Sequence, residues 1–232
     1  MDNTSTSIGT LYPILAAIAA YLLGSLSFAV IVSSVMGLND PRTFGSKNPG
    51  ATNVLRSGSK SAAIITLVLD ALKGFIPVLL VHLFGKAYGL GDGTVALVGI
   101  SAFLGHLYPV FFKFVGGKGV ATAVGVLFGV HWALGLACVI SFAIILYFFR
   151  YVSLASLVAA AFAPVCYLFG DTVLWSADRY ITLMLVVMAM LLAYRHSENI
   201  TRLIQGKESR LGEKKTADKL VDKAAVKKSS KH

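Results

Sequence analysis

The chain has 232 residues, of which 56% are hydrophobic and 14% charged, with a formal net charge of +10 and a mean hydropathy of +0.74. That balance is too apolar for a water-soluble globule and too long for a single anchor, which leaves a polytopic, all-α membrane protein. The positive charge does not point to nucleic acid, because the apolar runs leave no independent folded domain to carry a basic face.

Residues 1–10 hold Asp2 and no Lys or Arg, so the first apolar run lacks the basic flank of a secretory signal. It reads as a retained span behind a short external N-terminus. Residues 11 to about 36 are long enough to cross, since about 20 residues traverse roughly 30 Å of hydrocarbon. Gly24, Ser25 and Ser27 in its second half let another helix come close. A polar stretch over 37–60 follows, and within it Gly45 to Arg56 crowds Ser46, Lys47, Asn48, Pro49, Thr52, Asn53 and Arg56 between turn-forming residues. A passive connector has no need of so many hydroxyls, amides and cations.

The second span, 61–84, carries Asp70 and Lys73 one helical turn apart. An i,i+3 pair of opposite charge can neutralise itself, so a buried ion pair that fixes helix packing is favoured over a proton relay or a cation lent to a site. A glycine-rich turn over 85–93 leads into a third span from 94 to 104, which ends near Gly105-His106-Leu107-Tyr108-Pro109.

Val115-Gly116-Gly117-Lys118-Gly119-Val120-Ala121-Thr122 comes next. Three glycines in four residues free the backbone to bring N–H groups up to an anion just before a helix begins, and Lys118 adds a mobile positive charge. A tight turn with its lysine at the lipid headgroups is the alternative. Residues 120–130 then offer only 11 apolar positions, about 17 Å of helix, so this piece is tilted, extended into the loop, or re-entrant. Residues 133–149, 152–170 and 180–194 complete seven spans, with a short polar loop over 171–179. Cys138 and Cys166 lie in apolar runs without metal-ligand spacing and read as buried or lipid-facing thiols.

Orientation follows from Lys and Arg. Placing 37–60 in the cytoplasm gathers Arg42, Lys47, Arg56, Lys60, Lys113, Lys118, Arg150 and every cation from Arg195 onward on that side. Lys86 and Arg179 remain opposite, so the N-terminus is expected outside and the C-terminus inside. Beyond residue 212 the composition predicts a disordered basic tail able to skim anionic lipid.

The third polar segment, Arg195-His196-Ser197-Glu198-Asn199-Ile200-Thr201-Arg202-Leu203 with Gly206-Lys207-Glu208, follows the last span directly. Arg195 there reads first as a snorkelling anchor. His196 and Asn199, at i,i+3, can present an imidazole and an amide from one face. Three polar segments on one membrane face, rich in anion donors and poor in free carboxylates, suit phosphate groups.

Several chemistries are excluded. Lys118 is followed by Gly119 and position 112 is Phe, so the glycine stretch is not a Walker A loop. No histidine has an aspartate five residues later, which removes the H-x-x-x-x-D acyltransferases, and no Gly-x-Ser-x-Gly elbow supports a serine hydrolase. Scattered histidines give no zinc site.

Gly45 to Arg56, Gly105 to Thr122 and Arg195 to Glu208 resemble, in order, the three signature motifs of the bacterial acyl-phosphate:glycerol-3-phosphate acyltransferases, the PlsY family. Ser153-Leu154-Ala155-Ser156 after Arg150 and Asp70-x-x-Lys73-Gly74 also resemble family patterns, and the likeness covers residues 11–212. Val115 departs from the polar or basic residue usual there. The resemblance implies a multi-pass inner-membrane enzyme that moves a fatty acyl group from acyl phosphate to the 1-hydroxyl of sn-glycerol 3-phosphate, without metal or cofactor. It implies that Ser46, Thr52, the Gly116, Gly117 and Gly119 backbone, Ser156 and Asn199 hold the acyl-phosphate head, and that Arg56 and Lys118 hold glycerol phosphate. His196 then sits near the attacking hydroxyl or the acceptor phosphate, while Asn48, Asn53 and Glu208 order the loops. The proton can go to His196 or to a substrate phosphate oxygen. The rivals are a transporter for a phosphorylated solute, in which Asp70 and Lys73 would act at midplane, and an acyltransferase fed by acyl-carrier protein or acyl-CoA.

Overall fold

A computed structural model describes residues 3–212. Ten α-helices run in the order α1 (Asn3–Gly24), α2 (Phe28–Val35), α3 (Ala51–Leu55), α4 (Lys60–Phe84), α5 (Asp92–Leu107), α6 (Val120–Val130), α7 (Trp132–Phe149), α8 (Val152–Phe169), α9 (Arg179–Arg195) and α10 (Ser197–Ile204). The all-α expectation holds among the described residues, where a lone bridge between Asp171 and Trp175 is the only strand-like contact. The basic tail read over 213–232 lies outside the described residues. Positions 3–10, expected as an external N-terminus, continue the helix of α1.

Four stretches are long and apolar enough to cross a membrane unaided: Lys60–Tyr88, Asp92–Phe112, Trp132–Phe149 and Val152–Phe169. Two bent helix pairs raise that number to six. The count of seven requires α6 as well, whose 11 residues fall short of a full crossing.

The single span read over 11–36 is two helices. The chain breaks after Gly24 and α2 leaves at 42° to α1. The break strands main-chain carbonyls inside the protein, and Leu26 O finds a partner in Lys73 Nζ of α4 at 2.7 Å. A second bend, of 62°, separates α9 from α10, with His196 at the corner.

Glycine sets the close approaches. A Cβ at Gly24 would strike the Ala102 carbonyl and one at Gly105 the Tyr21 carbonyl, so α1 and α5 cross backbone to backbone. Gly74 and Gly125 do the same for α4 and α6, against Thr122 O and Ala71 O. Around these contacts a continuous core forms from Val78, Val98, Phe103, Leu107, Val126, Leu134, Met184 and Leu185. Ile140, Ile144, Tyr147 and Phe148 of α7 point outward, as a lipid-facing helix requires. The short α6 is thereby wedged against α4, with the glycine loop at its N-terminal end.

Candidate active site

The glycine loop turns into α6 through Gly119, whose φ of +83° suits a residue without a side chain. Gly117 N–H donates to the main-chain oxygen of His106 at 3.2 Å. A Cβ on Gly117 would run into His106 Nε2 and come within 2.9 Å of Pro49 O, so only glycine fits between those groups. Pro49 belongs to the first polar segment, and its carbonyl is where that segment presses on the loop.

The third segment grips the same loop from the other side. Arg195 Nη2 donates to Gly116 O at 2.8 Å and its Nε to Gly117 O at 3.2 Å. Arg195 is therefore half-buried against the loop rather than a snorkelling anchor, because two turn carbonyls with no helical partner attract its fork. Lys118 Nζ donates to Asn199 Oδ1, and Asn199 Nδ2 to Glu208 Oε1. Glu208 also accepts from Ser153 Oγ at 2.7 Å and Arg202 Nε at 2.8 Å. One carboxylate thus ties α10 to the start of α8, and the polar residues read from the third segment meet Lys118.

In the first segment, buried Asn53 is a hub. Its Nδ2 donates to Pro41 O and Phe44 O, and its Oδ1 accepts from Ser46 N at 3.0 Å. Ser46, Thr52 and Arg56 are exposed, Arg56 reaching Asn53 Oδ1 only at 3.4 Å, and Asn48 is half-buried beside Gly50. Ser156 lies one turn deeper than Ser153 along α8, where its Oγ donates to Val152 O at 2.8 Å. There it is the hydroxyl in an apolar crevice between α6, α8 and α9 lined by Val120, Leu127, Ala159, Ala163 and Met188, with Cys138 of α7 below. Ser153 is the serine that reaches the polar network, and its spacing of three from Ser156 marked both as one face.

Electrostatics differ along the site. Burial lowers Lys118 to about 8, against the pull of Glu208. Burial and the Lys118 charge lower His196 to about 4, so its imidazole is neutral at pH 7. His196 Nδ1 lies 2.8 Å from Leu192 O, which can only accept, so Nδ1 carries the proton and Nε2 keeps a lone pair. Burial raises Glu208, but the hydrogen bonds from Asn199, Arg202 and Ser153 outweigh it and hold the carboxyl below its usual value. The result is a cationic, donor-rich loop beside one neutral base. Among the described residues no group of three His, Cys, Asp or Glu side chains converges to hold a metal.

Asp70 and Lys73, which transport would require to act on a solute, pair with each other at 2.8 Å and are nearly fully buried.

The chain is similar to known proteins over most of its length. Residues 14–206 match the family model of glycerol-3-phosphate acyltransferase. The chain is 63% identical over 213 residues to the glycerol-3-phosphate acyltransferase of Albidiferax ferrireducens, covering 92% of this chain and 95% of that one. It is 55% identical over 207 residues to that of Paraburkholderia xenovorans, covering 88% and 94%. Among solved structures it is similar to PlsY (YgiH), an integral membrane glycerol 3-phosphate acyltransferase, in its glycerol 3-phosphate form, with a TM-score of 0.79 and 40% identity over 87% of this chain and 96% of that one. The lysophosphatidic acid form of that protein matches with a TM-score of 0.78 and 39% identity. With the family match running from 14 to 206 and relatives matched along most of both chains, the chain belongs to the glycerol-3-phosphate acyltransferase (PlsY) family.

Proposed function

We propose that this protein transfers a fatty acyl group from acyl phosphate to the 1-hydroxyl of sn-glycerol 3-phosphate, giving 1-acylglycerol 3-phosphate and inorganic phosphate at the cytoplasmic face of a bacterial inner membrane. The observation that carries the reading is the convergence of the first and third polar segments on Gly116, Gly117 and Lys118. The apolar crevice begins where Val120 leaves that loop and shares Leu192 with the His196 hydrogen bond. A lipid with an anionic head fits such a junction: its head on the loop, its chain in the crevice. The named substrates of the family and its solved relatives support the same acceptor. Transport is set aside, because relatives matched along most of the chain are named glycerol-3-phosphate acyltransferases and Asp70 and Lys73 pair with each other in the interior.

In this mechanism the loop N–H groups other than that of Gly117, with Ser46 and Thr52, take the donor phosphate, and Lys118 and Arg56 take the acceptor phosphate. Asn199 aims Lys118 by accepting its hydrogen bond, and Ser156 lies along the acyl chain rather than at its head. Asn53, Asn48 and Glu208 hold the loops in place. The acceptor hydroxyl oxygen bonds to the acyl carbonyl carbon as the carbon–oxygen bond to phosphate breaks, and inorganic phosphate departs with its electron pair. The hydroxyl proton passes to His196 Nε2 or to a phosphate oxygen. With a pKa near 4 in the free protein, His196 is a weak base until two bound phosphates raise it. Because the donor is already activated, binding both substrates in register supplies most of the acceleration.

The cation distribution supports cytoplasmic placement of the three segments, with α6 counted as the short seventh membrane piece. The test is a donor exchange with purified full-length protein, in which lysophosphatidate is measured from palmitoyl phosphate, palmitoyl-CoA and palmitoyl-acyl-carrier protein. Product from the phosphate donor alone supports the proposal. Product from a thioester alone overturns it.

A further inference from the structure

Beneath the glycine loop lies a second polar cluster that the reaction scheme does not use: Asp70 and Lys73 of α4, His106 of α5 and Thr122 of α6. Each side chain is at least nine-tenths buried, and together they join three helices and the α1–α2 break. Lys73 Nζ makes two polar contacts, one to Asp70 Oδ1 at 2.8 Å and one to Leu26 O at 2.7 Å, and lies over the Phe28 ring. Thr122 Oγ1 donates to the main-chain oxygen of Asp70 at 2.9 Å. With its hydrogen so used, the hydroxyl oxygen accepts from His106 Nδ1, 3.1 Å away, and Asp70 Oδ1 lies 3.6 Å from the same nitrogen.

That pattern locks the imidazole. Nδ1 is engaged on the α4 and α6 side, and the opposite edge, Nε2, forms the floor under Gly117. The same residue's main-chain oxygen receives the Gly117 N–H. His106 thus touches the loop by main chain and by ring at one residue, the one next to Lys118.

We infer that His106 is a positioning residue for the glycine loop, and that the buried Asp70–Lys73 pair serves to hold its ring in that orientation. The inference rests on the acyl-transfer reading only for what the loop binds. Asp70 without Lys73 would be an unpaired buried carboxylate, and the nearest donor it could recruit is His106 Nδ1–H, which would swing the ring off Thr122 and unseat Gly117. Removing both charges takes away the unpaired carboxylate that would draw it. Loss of one partner is therefore more damaging than loss of both.

The experiment uses the full-length protein in detergent micelles with four variants: His106→Ala, His106→Gln, Lys73→Met and the Asp70→Asn/Lys73→Met double. Amide hydrogen exchange over residues 114–120 is followed without substrate, and KM for glycerol 3-phosphate, kcat and thermal midpoint are measured beside it. In His106→Ala, loop exchange is expected to speed at least tenfold and KM to rise at least tenfold, with kcat changed less than threefold. His106→Gln, which keeps a polar group near the Nε2 position under Gly117, is expected to stay within threefold of wild type. Lys73→Met is expected to lose more kcat/KM than the double variant. Wild-type loop exchange in His106→Ala overturns the inference, as does failure of Gln to rescue or a double variant worse than Lys73→Met. If His106→Ala does not fold, the Gln variant and the Lys73 comparison decide alone. Wild-type protein that forms no lysophosphatidate refutes the functional reading instead, while the substrate-free exchange still tests the loop.

Discussion

Lys118 and Asn199, 81 residues apart in the chain, meet in a side-chain hydrogen bond in which the ammonium donates to the amide oxygen. Asn199 in turn is oriented by Glu208, so the aim of the loop's one cation is set by a carboxylate just beyond α10. Asn199→Asp would place a carboxylate against Lys118 and neutralise the positive charge offered to a phosphate. We expect at least a hundredfold loss in kcat/KM for Asn199→Asp and a smaller loss for Asn199→Ala, measured as lysophosphatidate formed.

Lys118 itself gives a pH prediction. Its pKa near 8 means the free protein loses this charge as pH rises through 8. The profile of kcat/KM for glycerol 3-phosphate should therefore bend down above about pH 8, since that parameter reports the free enzyme. Lys118→Arg should remove the bend while lowering the plateau, and Lys118→Ala should abolish activity without harming insertion.

Stability on the acid side tests His196. Its folded pKa, about 4, lies below the unfolded value of 6.5, so between those values the unfolded chain binds a proton that the folded protein refuses. Stability from this site is complete above pH 6.5 and is lost as pH falls toward 4, by up to about 3 kcal/mol. Thermal midpoints in detergent should fall over that window for wild type and fall less for His196→Gln.

Arg195 holds two carbonyls of the glycine loop with one fork. Lysine keeps the charge but cannot reach both. Arg195→Lys should cost at least tenfold in kcat/KM, appearing mainly as a raised KM for the acceptor. Equal kinetics would show the clamp to be idle.

The crevice offers a different readout, because its wall on α8 is built from alanines at 159, 160 and 163. Ala163→Trp should block its deep end, so turnover of a sixteen-carbon acyl phosphate should drop at least tenfold while a shorter donor is used nearly as well. The same loss for both donors would contradict a chain-binding role.

Much of this site was legible in the sequence because its parts are local. Gly116 to Gly119 announces an anion loop by composition, and Asn53 sits in a polar run too dense for a connector. Asp70 and Lys73 pair at i,i+3 as their spacing requires. What escaped were partners whose spacing carries no periodicity. Arg195 and Gly117 are 78 residues apart, and nothing near Arg195 separates a loop clamp from an interfacial anchor. Ser153 and Ser156 share a face, so only packing could show that Ser153 reaches Glu208 while Ser156 turns into the crevice. The break after Gly24 was hidden because Leu26 and its flanking serines are as compatible with a continuous span as with a bend, and the group that satisfies the break is Lys73, far along the chain.

The central claim is that acyl phosphate is consumed as phosphate leaves and ester forms on one loop. The most direct measurement is the stoichiometry of products from purified wild-type protein given palmitoyl phosphate and glycerol 3-phosphate. One inorganic phosphate per lysophosphatidate, with both lost together in Lys118→Ala, is the predicted result. Phosphate released without ester, or ester formed unchanged in Lys118→Ala, would contradict it.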